Sequence, residues 1–158
     1  MTSPEQTTTP RPKNPDDAAL ADAIIAEHAT IYGYGFVSAH STEALNRLVS
    51  DCLSDHRELR EAAIATLSAR SVTPPVAALG YQLPMPVNNP TDAARLAVQM
   101  EDDDTVAWRA VLEQAQSAQD RDFAVKALTQ CAVRAARWRQ VLQAWPVTTP
   151  FPGGTEKP

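Results

Sequence analysis

Glycine is scarce in this chain, with five among 158 residues, while alanine is abundant. That balance favours helices over sheets. Cysteine is scarcer still: only Cys52 and Cys131 occur, and neither belongs to a CxxC pair. Zinc-finger chemistry and a disulfide framework are therefore not indicated. Basic residues are outnumbered, with 14 Lys and Arg against 19 Asp and Glu, a net charge of −5. The isoelectric point is about 5.1. An acidic chain is a poor default partner for nucleic acid, which binds basic surfaces. Arg134, Arg137 and Arg139 form a local basic patch that reads as a solvated helix face. No apolar run approaches membrane-spanning length, and no positive segment followed by an apolar core opens the chain. We therefore expect a cytoplasmic protein with no membrane partner. No Ser-His-Asp set, Walker loop or dinucleotide fingerprint is present.

Four amphipathic helices are present instead. The first opens at Asn14-Pro15-Asp16-Asp17, with a capping residue, a proline suited to the first turn and two acids at the positive helix end. Its buried face runs through Leu20, Ala23 or Ile24, Glu27, Ile31 and Tyr34. Gly33 and Gly35 indicate either close helix packing or loosening before Ser38. The second helix is expected after Ser41, with Leu45, Cys52, His56, Leu59, Ala63 and Leu67 inward, and Pro74-Pro75 forbids its continuation. Val72 to Asn89 carries prolines at 74, 75, 84 and 86 plus Gly80, without helical period. At about 3.3 Å per extended residue it can run the length of a bundle, so helices two and three are expected to lie parallel.

The third helix opens at Asn89-Pro90-Thr91-Asp92, repeating the start of the first. The fourth follows a turn near Ser117 to Asp120, with Ala127 or Leu128, Cys131, Ala135, Trp138 and Leu142 inward. The expected organisation is a disordered tail over 1–13, a helical domain over 14–145 and a polar tail over 146–158.

The seams of these helices hold acids. On the third, Glu101 and Asp104 share a face with Ala97 and Trp108, while Asp102 and Asp103 point away. An ionised carboxylate is costly to bury without a partner. Glu27 falls in the seam of the first helix and His56 in that of the second. Arg134 lies at the edge of the fourth. Glu27, His56, Glu101 and Asp104 are the candidate metal residues, with Asp55 available beside them. His28 and His40 read as surface or capping residues, and the two cysteines as small core residues.

The segments Glu27-His28-Ala29-Thr30-Ile31-Tyr32-Gly33-Tyr34-Gly35, Asp55-His56-Arg57 and Glu101-Asp102-Asp103-Asp104 resemble a family of uncharacterised actinobacterial ferritin-like domains. The resemblance covers roughly Asp16 to Trp145. It implies an all-α, antiparallel, ferritin-like four-helix bundle with a long crossover between helices two and three. Di-iron members of that superfamily place one Glu on each of two helices and Glu-x-x-His on each of the other two. Glu27 and Glu101 match the single glutamates. Helix two instead offers Leu53-Ser54-Asp55-His56, and helix four Cys131-Ala132-Val133-Arg134. Arginine stays protonated and cannot ligate a metal.

The remaining acids could hold one divalent ion or form a metal-free network with Arg134. The sequence thus points to a non-catalytic interaction or structural protein without a cofactor, acting as a homodimer or with a protein partner. The connector Ala77 to Val87, with Leu79, Tyr81, Leu83 and Met85, is the expected partner surface. The alternative is an iron- or manganese-binding oxidoreductase, or a metal-storage-related protein, using Glu27, His56, Glu101 and Asp104.

Overall fold

The computed structural model describes residues 9–154, whose long regular elements are all helices. They are α1 (Pro15–His40), α2 (Asn46–Ala69), α3 (Pro90–Gln114) and α4 (Ala118–Val141), with a 3-10 turn at Glu43–Leu45 before α2. The expected tail over 1–13 lies partly outside the described residues. Within them, Arg11 pairs with Asp22 of α1 at 2.7 Å.

Three of the helix starts are capped. Asn14 Oδ1 accepts from the Asp16 amide at 2.9 Å, Asn89 Oδ1 from Asp92 at 2.9 Å, and Ser117 Oγ from Asp120 at 3.0 Å. Such a cap is worth about 1 kcal/mol. The first helix neither loosens before Ser38 nor packs closely at Gly35: it runs unbroken to His40, and a Cβ on Gly35 would meet nothing within 4 Å. Burial of Tyr34 and Val37 holds this last stretch helical. The second helix starts later than expected, because Glu43–Leu45 takes a 3-10 turn first.

α3 packs against both α1 and α4, and α2 packs against α1. Two apolar clusters result. One joins Leu20 and Ile24 to Leu59, Leu67, Trp108 and Cys131. The other joins Tyr34 and Val37 to Cys52, Leu96, Met100 and Trp138. On every helix, the buried polar residues of the seam fall between these two groups. At one end, Arg70 closes α2 onto the starts of α1 and α4, meeting Asp17 at 2.8 Å, Asp120 at 2.7 Å and Asp16 at 3.4 Å.

The connector is not the exposed surface expected. Leu79 is 97% exposed, but Tyr81 is buried at 8%, and Leu83, Met85 and Val87 pack on the second cluster. Tyr81 lies against Tyr32, ring centroids 5.3 Å apart, and its hydroxyl accepts from the Ala78 amide at 3.0 Å. His28 is not a surface residue either. It is buried, and its Nε2 lies 3.1 Å from the Pro75 carbonyl, tying α1 to the connector.

Residues 149–154 turn back onto α3. Gly153 has φ +74°, and an added Cβ would collide with the Thr105 carbonyl. Gly153→Ala should therefore detach this segment while sparing the helices, since both backbone geometry and space are against it. Limited proteolysis should show faster cleavage after 149 with unchanged helical circular dichroism. Cleavage at the wild-type rate would mean that the segment does not need this contact.

Candidate functional site

All four helices contribute to one buried polar cluster. Helical spacing puts Glu27 and Tyr34 of α1 on one face, seven residues apart. α2 supplies His56, α3 supplies Glu101, Asp104 and Trp108, and α4 supplies Cys131, Arg134 and Trp138. Glu27, His56 and Glu101 are wholly buried, Asp104 is 1% exposed and Arg134 3%. Glu27, His56, Glu101 and Asp104 are therefore brought together in the interior.

His56 is the hinge of the cluster. Its Nδ1 lies 2.7 Å from Glu27 Oε2 and its Nε2 3.0 Å from Glu101 Oε1. Each ring nitrogen faces a carboxylate, which suits an imidazolium donating twice. Burial alone would lower the His56 pKa, but the Glu101 and Glu27 hydrogen bonds and charges push it up to about 10. Arg134 Nε donates to both Glu101 oxygens, at 3.2 and 3.1 Å. The Tyr34 hydroxyl donates to Glu101 Oε1 at 2.5 Å and accepts from Trp138 Nε1 at 3.0 Å. Trp108 Nε1 donates to Glu27 Oε1 at 2.8 Å. Burial would raise the Glu101 pKa; His56, Arg134 and Tyr34 outweigh it and hold the carboxyl below its usual value.

Asp104 differs from the other acids. Both of its oxygens are buried without a hydrogen-bond partner, and His56 Nδ1 is 3.7 Å away. Burial, then the charge of Glu27, raises its pKa well above the usual carboxyl value. Burial therefore favours the neutral form of Asp104. Glu27 and Glu101 are then balanced by His56 and Arg134, which explains how so many ionisable groups are tolerated away from water.

On its outer side Arg134 reaches half-exposed Asp55, Nη1 to Oδ2 at 3.4 Å. Its Nη2 donates to Cys131 Sγ at 3.2 Å. Arg134 is therefore no solvated basic face, and Arg139 is paired with Asp102. Cys52 and Cys131 are both free and buried. Burial pushes the Cys52 thiol up to about 11, and burial and Asp104 push Cys131 well up. Sequence reading missed Tyr34, Trp108 and Trp138 as hydrogen-bond donors. The available signal was a polar-tipped aromatic in the same seam as each acid. Among the described residues, two sets of side chains have ligand atoms within 4.8 Å of one another: Glu27, His56 and Asp104, and Glu101, Asp104 and Cys131.

Fold and site together define an all-α protein built around an internally paired ionic cluster. The chain belongs to the family described as Domain of unknown function (DUF4439), whose model matches residues 19–156. It is similar to the crystal structure of a conserved hypothetical protein, rv2844, from Mycobacterium tuberculosis, at 58% identity and a TM-score of 0.80. That match covers 82% of this chain and 98% of the other. No curated protein matches the chain. No helix among the described residues is long and apolar enough to cross a membrane.

Proposed function

We propose that this is a non-catalytic structural or interaction protein on a ferritin-like, antiparallel four-helix bundle, with an ion-pair cluster where di-iron relatives hold metal. Residue order in the cross-helix pairs supports the bundle. Glu27 meets Trp108 while Tyr34 meets Glu101, so α1 and α3 run in opposite directions. Asp17 meets Arg70 while Glu27 meets His56, so α1 and α2 do too. Glu101 meets Arg134 while Trp108 meets Phe123, so α3 opposes α4. By this order α2 and α3 are parallel, as a long crossover requires.

The observation that carries the functional reading is Arg134 astride Glu101. A guanidinium on both carboxylate oxygens stands where a di-iron protein would offer its second Glu-x-x-His, and His56 has both nitrogens committed to carboxylates. The donor set does not fit two iron ions, which need about six protein ligands around them. Protein purified without chelators should carry iron and manganese far below one equivalent, with no rise in Tm when either is added. Stoichiometric iron or manganese would overturn this reading.

One observation favours a second reading, a single iron or manganese ion in an oxidoreductase or storage-related protein. Glu27, His56 and Asp104 could converge on such an ion, and neither Asp104 oxygen has a hydrogen-bond partner within 3.5 Å. His56 would first have to lose a proton.

For the interaction we infer self-association as a homodimer through the connector, where Val76 and Leu79 present apolar side chains to solvent. Sedimentation analysis should give a dimer for the native chain and a monomer for Leu79→Asp. An unchanged dimer would place the interface elsewhere.

A further inference from the structure

We propose that Glu101 and Asp104 of α3 and Cys131 of α4 form a site for a divalent cation of the zinc class, fastening α3 to α4. This goes beyond the non-catalytic reading and uses neither His56 nor a pair of metals. Three observations bear on it. The three ligand atoms lie within 4.8 Å of one another, and all three residues are buried. Points that close share a centre about 2.8 Å or less from each, so shifts of up to about 0.5 Å for the sulfur and about 0.8 Å for the oxygens reach ordinary zinc distances.

Asp104 supplies the second, independent observation. It is 1% exposed, and neither of its oxygens has a hydrogen-bond partner. A carboxyl group placed so deeply without a partner is costly unless something takes its lone pairs. The third observation is Arg134 Nη2 on Cys131 Sγ at 3.2 Å, a donor that offsets part of the rise burial and Asp104 impose on the thiol.

The charge balance follows. Binding of one divalent ion releases the proton of the Asp104 carboxyl and that of the Cys131 thiol, leaving the net charge of the cluster unchanged. Glu101 remains paired through Arg134. The sulfur ligand selects the metal class. Thiolate suits zinc and cobalt better than manganese or magnesium.

Cobalt(II) is the probe, added to the full chain under anaerobic conditions and, in parallel, present during refolding. A thiolate-to-cobalt charge-transfer band should appear in the near ultraviolet, saturate at a single equivalent and be bleached by zinc. The band should vanish in Cys131→Ser and persist in Cys52→Ser. Asp104→Asn, which keeps the side-chain shape, should weaken cobalt binding at least tenfold and provides the readout if Cys131→Ser fails to fold. Absence of the band in the native chain by both routes would overturn the proposal. So would a band that survives Cys131→Ser, or undiminished affinity in Asp104→Asn. These results are separable from those for iron and manganese, because only a sulfur-ligated ion produces the band.

Discussion

Replacing Arg134 by methionine is expected to cost about 3–5 kcal/mol of folding stability, because it leaves a buried carboxylate without its main counter-charge. Arg134 is 3% exposed and Glu101 is wholly buried, so water cannot take over the role of the guanidinium. Glu101 would keep His56 and Tyr34, but His56 is already shared with Glu27. Methionine fills much of the arginine volume, so the loss would be electrostatic in origin. Urea unfolding at pH 7 checks this, with a lower midpoint at unchanged slope as the expected pattern. Adding Glu101→Gln should return part of the loss, since the acid that needed Arg134 is then neutral. A loss below about 1 kcal/mol in the single variant would match a surface pair and contradict the burial argument.

The same contrast separates what was legible in the sequence from what was not. Helical period alone placed Glu27, His56, Glu101 and Asp104 inward, because each lies three, four or seven residues from apolar neighbours in its helix. The Asn14 and Asn89 starts were legible for the same local reason: the capping side chain and the amide it satisfies are two or three residues apart. Contacts between distant segments were not legible. His28 is buried by Pro75, 47 residues away in a connector with no period. Tyr81 is buried by Tyr32, which lies on another element. The return of residues 149–154 onto α3 depends on a positive φ at Gly153 that composition does not announce.

Period also stops short of pairing. It places Glu101 and Asp104 on one face, one turn apart, without distinguishing them. Glu101 collects Tyr34, His56 and Arg134, whereas Asp104 collects no hydrogen bond. That difference depends on where three other helices set their side chains. It decides the chemistry, because a paired acid is held as a charge, whereas an unpaired one keeps its lone pairs open to a ligand.

Raising the pH should weaken the fold before any cysteine titrates, and His56 should be a principal cause. Its pKa rises from 6.5 to about 10 on folding. A group raised in this way contributes stability fully below its unfolded value and loses it as pH climbs through the folded value. Between pH 6.5 and about 10 the unfolded chain gives up the His56 proton and the folded chain retains it, so stability falls. The total is on the order of 5 kcal/mol, at up to about 1.4 kcal/mol per pH unit.

The groups facing His56 are Glu27, Glu101, Asp104 and Tyr34, with Arg134 behind Glu101. Asp104, also raised, acts in the same direction, its share lost as pH rises through its folded value. Glu101 is lowered and acts oppositely, losing its share only as pH falls below its unfolded value of 4.5. Tyr34 is raised well above 10 and does not intervene. Measurements belong below pH 9, where the unfolded cysteines begin to ionise. Urea midpoints from pH 6 to 8.5 should decline in the native chain, and His56→Gln should start lower and decline less. A flat native profile would mean that the folded cluster binds no more protons than the unfolded chain, so that His56 is neutral and its two carboxylate contacts could not both be charge-assisted.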